Sequence, residues 1–342
     1  DVCIWVNIKK KGSDKWSAPI LAADGVLSLD DPNARFMGLS GLKDNTTPAI
    51  NGPIRTPESY DYVTKTTRLK NVSERLKRKA CWNPVLFEMP NGELWLFFKI
   101  GSSVGDWTGW IAKSKDGGCT WSDKEPLPFD SQGRAFLGPV KNKPEIIDGR
   151  LLCPSSTEKN GWRFHMEILD LKTGQWRWIP VESTEAIKTD DNQPHPIDCI
   201  QPSILKLEDG RLQVLMRTHN AYLATSFSSD NGDTWTPVTL SKVENNQSGT
   251  DAVTLNDGRH ALVYNNIKTL PMTPKGPRTP CSIALSDDGE TWRHVLTLED
   301  SPIDQYSYPA IIQGSDGRIH CVYTWRRQRI VYKQIDLTRL GQ

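Results

Sequence analysis

The feature that most constrains this chain is an eight-residue box that recurs along it. S-K-D-G-G-C-T-W (114–121) and S-S-D-N-G-D-T-W (228–235) share the template S-x-D-x-G-x-T-W. L-S-D-D-G-E-T-W (285–292) fits it with Leu285 in the serine place, and T-G-Q-W (173–176) and S-D-K-W (13–16) are decayed copies. Trp121, Trp176, Trp235 and Trp292 follow one another at intervals of 55, 59 and 57 residues. Trp16 precedes Trp121 by 105, which is one period plus an insertion of about 48. A fixed period of this size means that one supersecondary unit is repeated and buries its apolar face against its neighbours. The box residues have a local task. Asp and Ser hydrogen-bond the turn backbone, Gly permits positive φ, and Trp packs between sheets. The boxes are therefore read as building the fold and not as touching substrate.

A second repeat interleaves with the first. N-P-V-L-F-E-M-P-N-G (83–92), Q-P-S-I-L-K-L-E-D-G (201–210), G-T-D-A-V-T-L-N-D-G (249–258) and Y-P-A-I-I-Q-G-S-D-G (308–317) share a layout, and K-P-E-I-I-D-G (143–149) is a shortened version. Each is an apolar run of β type closed by an Asn/Asp-Gly turn and followed by another apolar run, which is a hairpin signature. With a second hairpin ending at the box, each unit has about four strands, and four-stranded units repeated around an axis are propeller blades. The predicted class is all-β.

Composition excludes several alternatives. A formal net charge of +1 over 342 residues gives no reason to expect nucleic acid as a partner. No apolar stretch approaches the roughly 20 residues of a spanning helix. The seven cysteines are scattered, odd in number and free of C-x-x-C, so buried reduced thiols are expected and no metal site or other cofactor. Sequons at Asn45, Asn71 and Asn246 hint at secretion to the extracellular side. The basic run R-L-K-N-V-S-E-R-L-K-R-K is read as a solvated face, and the chain is expected to be a monomer.

The boxes, together with C-W-N-P-V-L-F, G-P-V-K-N-K-P, L-L-C-P-S-S-T-E, I-Q-P-S-I-L, S-G-T-D-A-V-T-L and Y-S-Y-P-A-I-I, resemble the sialidase (neuraminidase) superfamily in its BNR-repeat, sialidase-like branch. The resemblance runs over nearly the whole chain apart from the insertion. It implies a six-bladed β-propeller as a single domain over 1–342, with residues 33–80 inserted between the first and second blades. V-C-I-W-V-N-I-K-K and Trp16 look like only the outer half of a first blade, so that blade is expected to be incomplete at the N-terminus.

In a propeller the innermost strand of each blade lines the channel. The position nine residues before the hairpin glycine is then equivalent in each copy: Asn83, Gln201, Gly249 and Tyr308, with Lys143 in the shortened one. Polar side chains entering one funnel from different blades suit a sugar pocket, although they could equally serve to solvate the channel mouth. The resemblance puts the nucleophilic tyrosine of sialidases at Tyr308. A phenol with a pKa of about 10 needs activation, and the family's glutamate partner is here Gln201, which cannot take a proton. Arg217 and Arg278 fall where the family has two of its three arginines for the substrate carboxylate. Guanidinium forks pair bidentately with carboxylates, which points to an acidic sugar. The family's third arginine, in F-R-I-P, and its acid/base aspartate would fall upstream of Asp1. I-R-T-P (54–57) imitates that motif but lies in the insertion.

Further candidates are rim carboxylates at Asp251 and Glu158, the titratable His195, and Tyr306 as a rival to Tyr308. Lys141 and Lys143 add positive potential, as does W-R-R-Q-R (325–329). Three functions fit. The first is an exo-acting hydrolase that removes a terminal acidic sugar, of sialic or uronic type, through Tyr308. The second is a uronate lyase, in which Gln201, Asn83 and Lys143 neutralise the carboxylate and Tyr308 or His195 acts on the α-proton. The third is a non-catalytic glycan-binding propeller.

Overall fold

The computed structural model describes residues 2–27, 78–273, 275–302 and 305–339, and the short strands Tyr60–Asp61 and Thr66–Thr67. The insertion read at 33–80 lies almost wholly outside the described residues. So do I-R-T-P and the sequons at Asn45 and Asn71. Among the described residues the chain is all-β, with a 3-10 turn at Leu337–Arg339 as its one helical element.

The chain forms two compact units, Asp1–Gly138 and Pro139–Gln342. The first holds a two-stranded pair, Ile4–Val6 with Ile20–Ala23. It also holds a four-stranded sheet in the order Ala80–Glu88, Leu94–Gly101, Thr108–Ser114, Glu125–Pro126. The second unit holds three four-stranded sheets and one of three strands. They run through Glu145–Pro180, Cys199–Glu244, Asp251–Glu299 and Tyr306–Ile335, with an extra hairpin at Glu185–Ile187 and Pro194–Pro196. All strand pairs within these sheets are antiparallel. The described residues thus form five blade sheets, not the six expected, because residues 2–27 supply only two strands.

The hairpin repeat closes as its Asn/Asp-Gly motifs dictate. Met89, Leu207, Leu255 and Gly314 each pair with a residue four positions on, across a turn whose glycine (Gly92, Gly210, Gly258, Gly317) has φ between 77° and 88°. Within the second unit, consecutive blades pack on shared apolar layers. Val253, Ile283, Tyr306, Ile311 and Tyr323 form one, and Leu152, Met166, Ile204, Val214 and Met216 another. Burying each such aliphatic side chain contributes about 1.5–3 kcal/mol, so the layers are what hold blade to blade.

The boxes work as predicted in chemistry. In the first, Ser114 accepts the Gly118 N–H at 2.9 Å and donates to Asp116 at 2.8 Å. Asp116 accepts the Thr120 N–H at 2.9 Å, and Trp121 Nε1 donates to the Gly118 carbonyl at 3.1 Å. The second box repeats this with Ser228, Asp230, Gly232, Thr234 and Trp235. The third differs from the sequence alignment. Ser286 and Asp288 hold the Ser and Asp places, with Ser286 donating to Asp288 at 3.0 Å and Asp288 accepting the Thr291 N–H at 2.7 Å. Its turn is one residue shorter, so Leu285 is not in the serine place but is buried in the core.

Candidate active site

Three of the equivalent positions share an unusual backbone. Asn83, Gln201 and Tyr308 have φ of 44°, 59° and 51°, and each precedes a proline. At each the pairing register slips: between Trp82 and Val85, Ile200 and Ser203, and Ser307 and Ala310. A left-handed non-glycine residue costs about 1–2 kcal/mol, and a bulge re-aims the side chain it carries. Asn83 belongs to the first unit and is described with it. Gln201 and Tyr308 belong to the second.

In the shortened copy it is Lys141, at φ 70°, that adopts this conformation, and not Lys143. Lys141 Nζ donates to the carbonyls of Thr250 and Pro309, each at 2.6 Å, and to Asn142 Oδ1 at 2.8 Å. One lysine therefore ties three blades together beside Tyr308. Loss of hydration on burial, opposed by Asp251, pulls its pKa down to about 7. Lys143 instead reaches both carboxylate oxygens of Asp251 at 3.1 Å and the Ala252 carbonyl at 2.9 Å.

Asp251, a rim candidate in sequence, is buried. Its oxygens also accept the Ser203 hydroxyl at 3.1 Å and the Ile311 N–H at 2.9 Å, so with Lys143 it bolts its own blade to three others. Asn142 donates to the Gln201 carbonyl and the Ser203 hydroxyl, both at 2.8 Å. Gly249, the fourth equivalent position, shows why that copy carries no side chain. A Cβ there would lie 3.1 Å from Gln201 Oε1, 3.1 Å from Lys141 Cε and 3.4 Å from Tyr308 Cδ1. Gln201, Lys141 and Tyr308 thus converge on the space beside Gly249. Gly249→Ala should displace them by tenths of an ångström, lowering kcat/KM on any glycoside the protein hydrolyses about 10-fold with little change in Tm. Thermal melts run beside steady-state assays check this.

Cations surround Tyr308. Arg278 Cζ stands 5.3 Å and Arg327 Cζ 5.1 Å from its ring centroid. Burial works to raise the phenol pKa, but Arg217, Arg278 and Arg327 together outweigh it and the net shift is downward. Arg217 is buried, donates to Gln201 Oε1 at 3.2 Å, and lies 4.5 Å over the Trp162 ring. Desolvation lowers its pKa to about 10, opposed first by Tyr308. Arg327 comes from W-R-R-Q-R. It sits in a tight turn in which Arg326 and Arg327 have φ of 51° and 57°, and Gln305 Oε1 accepts its Nε–H at 3.0 Å. Two left-handed arginines in a hairpin turn, where Asn-Gly is the favoured pair, are a costly way to aim a guanidinium at a tyrosine.

Glu158 is half-buried. Burial raises its pKa, opposed by Arg217 and His219. His219, which sequence reasoning missed, lies against Trp162 with ring centroids 3.7 Å apart. The R-T-H-N string carrying it begins with Arg217, and that adjacency was its only signal. Two candidates lie elsewhere. His195 pairs with Asp191 at 2.8 Å on the exposed hairpin. Tyr306 is in the core, edge-on to Tyr323 and bonded to Ser301. Asn246, the remaining sequon, is also buried and donates to the Pro277 carbonyl. Among the described residues no group of three or more His, Cys, Asp or Glu side chains could hold a metal ion.

A family model for the BNR repeat-like domain matches residues 56–321. The chain belongs to that family, within the sialidase superfamily. A curated relative is the anhydrosialidase of Macrobdella decora, 25% identical over 251 residues that make up 65% of this chain and 30% of that protein. The chain thus spans less than a third of that relative's length. Among solved structures, the NanB sialidase of Streptococcus pneumoniae superposes with TM-score 0.62 at 12% identity, covering 99% of this chain and 64% of that one. The intramolecular trans-sialidase of Ruminococcus gnavus gives 0.60 at 15% identity, covering 98% and 88%. A protein of unknown function from Dyadobacter fermentans gives 0.55 at 17%, covering 71% and 72%. These likenesses show the fold, a β-propeller of the sialidase kind.

Proposed function

We propose that this propeller is an exo-acting glycoside hydrolase that releases a terminal acidic sugar, of sialic or uronic type, with Tyr308 as nucleophile. The observation that carries the reading is the set of three arginines, Arg217, Arg278 and Arg327, whose charges act on one half-buried tyrosine. That arrangement serves two ends. It pairs with a substrate carboxylate, and it favours the phenolate, so Tyr308 does not depend on Gln201 to take its proton. Gln201, held through its side-chain oxygen by Arg217, positions the site and is not its base.

The same geometry supports a second reading. The Gln201 amide keeps its NH2 to neutralise a uronate carboxylate, while an acidified tyrosine suits abstraction of the α-proton. One experiment separates the two. The protein is incubated with 4-methylumbelliferyl glycosides of N-acetylneuraminic and glucuronic acid and with uronate-bearing oligosaccharides, and products are read by mass spectrometry. The expected result is a free acidic sugar, heavier by one water than an elimination product. An unsaturated product establishes the lyase instead, and glycan binding without any product overturns both.

A further inference from the structure

We propose that Glu158 is the group that exchanges a proton with the leaving-group oxygen at this site. The assignment rests on the reading of Tyr308 as nucleophile. Glu158 follows directly on the strand Arg150–Thr157, two residues past Ser156, whose hydroxyl accepts the Gln201 N–H at 3.2 Å. The strand that touches Gln201 therefore delivers Glu158 to the same neighbourhood, where Arg217 and His219 are the charges that act on it. Arg217 in turn feels Tyr308, Arg278 and Glu158 together.

What sets Glu158 apart is that its carboxyl is uncommitted. Among the described residues no hydrogen bond or ion pair engages it, although it is half-buried beside a guanidinium. Three other carboxylates of this unit are occupied. Asp251 is held by Lys143, Ser203 and the Ile311 N–H. Asp198 is shared by Arg163, Lys188 at 3.0 Å and His219 at 3.6 Å. Asp190 accepts from Gln247 at 3.1 Å and lies 3.9 Å from His219. A carboxyl kept for structure would have been paired in this way. One left open within the field of Arg217 is available to a substrate. His219, held between Trp162 and the two aspartates, is a positioning residue that sets the field on Glu158.

The two half-reactions balance. In the first, the Tyr308 phenolate oxygen bonds to the anomeric carbon and the bond from that carbon to the leaving oxygen breaks. The electron pair stays on that oxygen, which takes the Glu158 proton. In the second, the Glu158 carboxylate takes a proton from water and the water oxygen bonds to the anomeric carbon. The Tyr308–carbon bond breaks as that bond forms, and its electron pair returns to a phenolate held by the arginines. Tyr308 attacks once its phenolic proton has been lost to solvent, an ionisation that the arginines favour, and the remaining proton traffic passes through Glu158.

The test compares two glycosides of N-acetylneuraminic acid. The 4-methylumbelliferyl group departs without a proton, whereas methanol needs one. Glu158→Gln should lower kcat/KM at least about 100-fold on the methyl glycoside and less than about 10-fold on the aryl one. It should also remove the limb of the pH profile on which rate falls as Glu158 deprotonates, and Glu158→Asp should restore part of both. Equal losses on the two substrates, with an unchanged pH profile, overturn the assignment. Tyr308→Phe should lose both substrates; if it keeps them, the nucleophile reading fails independently of Glu158. A wild-type protein that turns over no glycoside of N-acetylneuraminic or glucuronic acid overturns both.

Discussion

Tyr308→Phe should lower kcat/KM at least about 1,000-fold on any glycoside the protein hydrolyses, because it removes the atom that forms the bond and leaves the pocket's shape intact. Binding should survive. The arginines remain, so an acidic product should still bind within a few-fold of its wild-type affinity. The titration of the phenol offers a second readout that a structural tyrosine would not give. Burial pushes its pKa up, but Arg217, Arg278 and Arg327 outweigh that and the net shift is downward. In an alkaline titration followed by phenolate absorbance, one of the eight tyrosines should ionise ahead of the rest. That early step should vanish in the Phe variant and move upward in Arg278→Ala. The sign of the linked stability follows. The folded state releases this proton before the unfolded chain does, so Tyr308 adds stability as pH rises from its folded towards its unfolded pKa. The difference in Tm between wild type and Tyr308→Phe should widen across that window. A wild-type rate in the Phe variant would end the nucleophile assignment.

The register that singled out Tyr308 was legible because it is written in local chemistry. An Asn/Asp-Gly turn fixes a hairpin, and counting back from its glycine finds Asn83, Gln201 and Tyr308, all three left-handed in the structure. The box pattern was legible for the same reason. It misled at 285–292, where a turn shorter by one residue keeps the same hydrogen bonds and moves Ser286 into the place assigned to Leu285. The shortened copy misled similarly. The proline there marks Lys143, but the left-handed residue is Lys141, because the abbreviated hairpin turns at Asp148–Gly149. What no local pattern could reveal is set by long-range packing. Arg327 reaches Tyr308 from the next hairpin turn, His219 is defined by Trp162, and Glu158 stands out because no hydrogen bond or ion pair engages it among the described residues. Asp251 was read as a rim group because its partners, Lys143, Ser203 and Ile311, are 48 or more residues away.

Lys141→Met should be strongly destabilising, and it should also impair turnover. Methionine nearly conserves volume, so the loss is one of hydrogen bonds. The Thr250 and Pro309 carbonyls and Asn142 Oδ1 each lose the donor they have now. An unsatisfied buried acceptor costs about 1–3 kcal/mol. Relief of the desolvated ammonium, whose pKa burial has drawn down to about 7, offsets part of this. A net loss of about 3 kcal/mol and a Tm lower by about 6–10 °C are expected. Activity should fall as well, because Pro309 follows Tyr308 directly and its carbonyl helps hold a residue strained at φ 51°. Lys143→Met supplies the contrast. It strips a buried aspartate of its cation, which costs a comparable 3–5 kcal/mol, yet it touches no atom of the Tyr308–Pro309 backbone. Equal activity losses in the two variants at matched stability would mean that the blades transmit any disturbance to the site alike. A larger loss in Lys141→Met would locate the control of Tyr308 in the one ammonium that bonds across three blades.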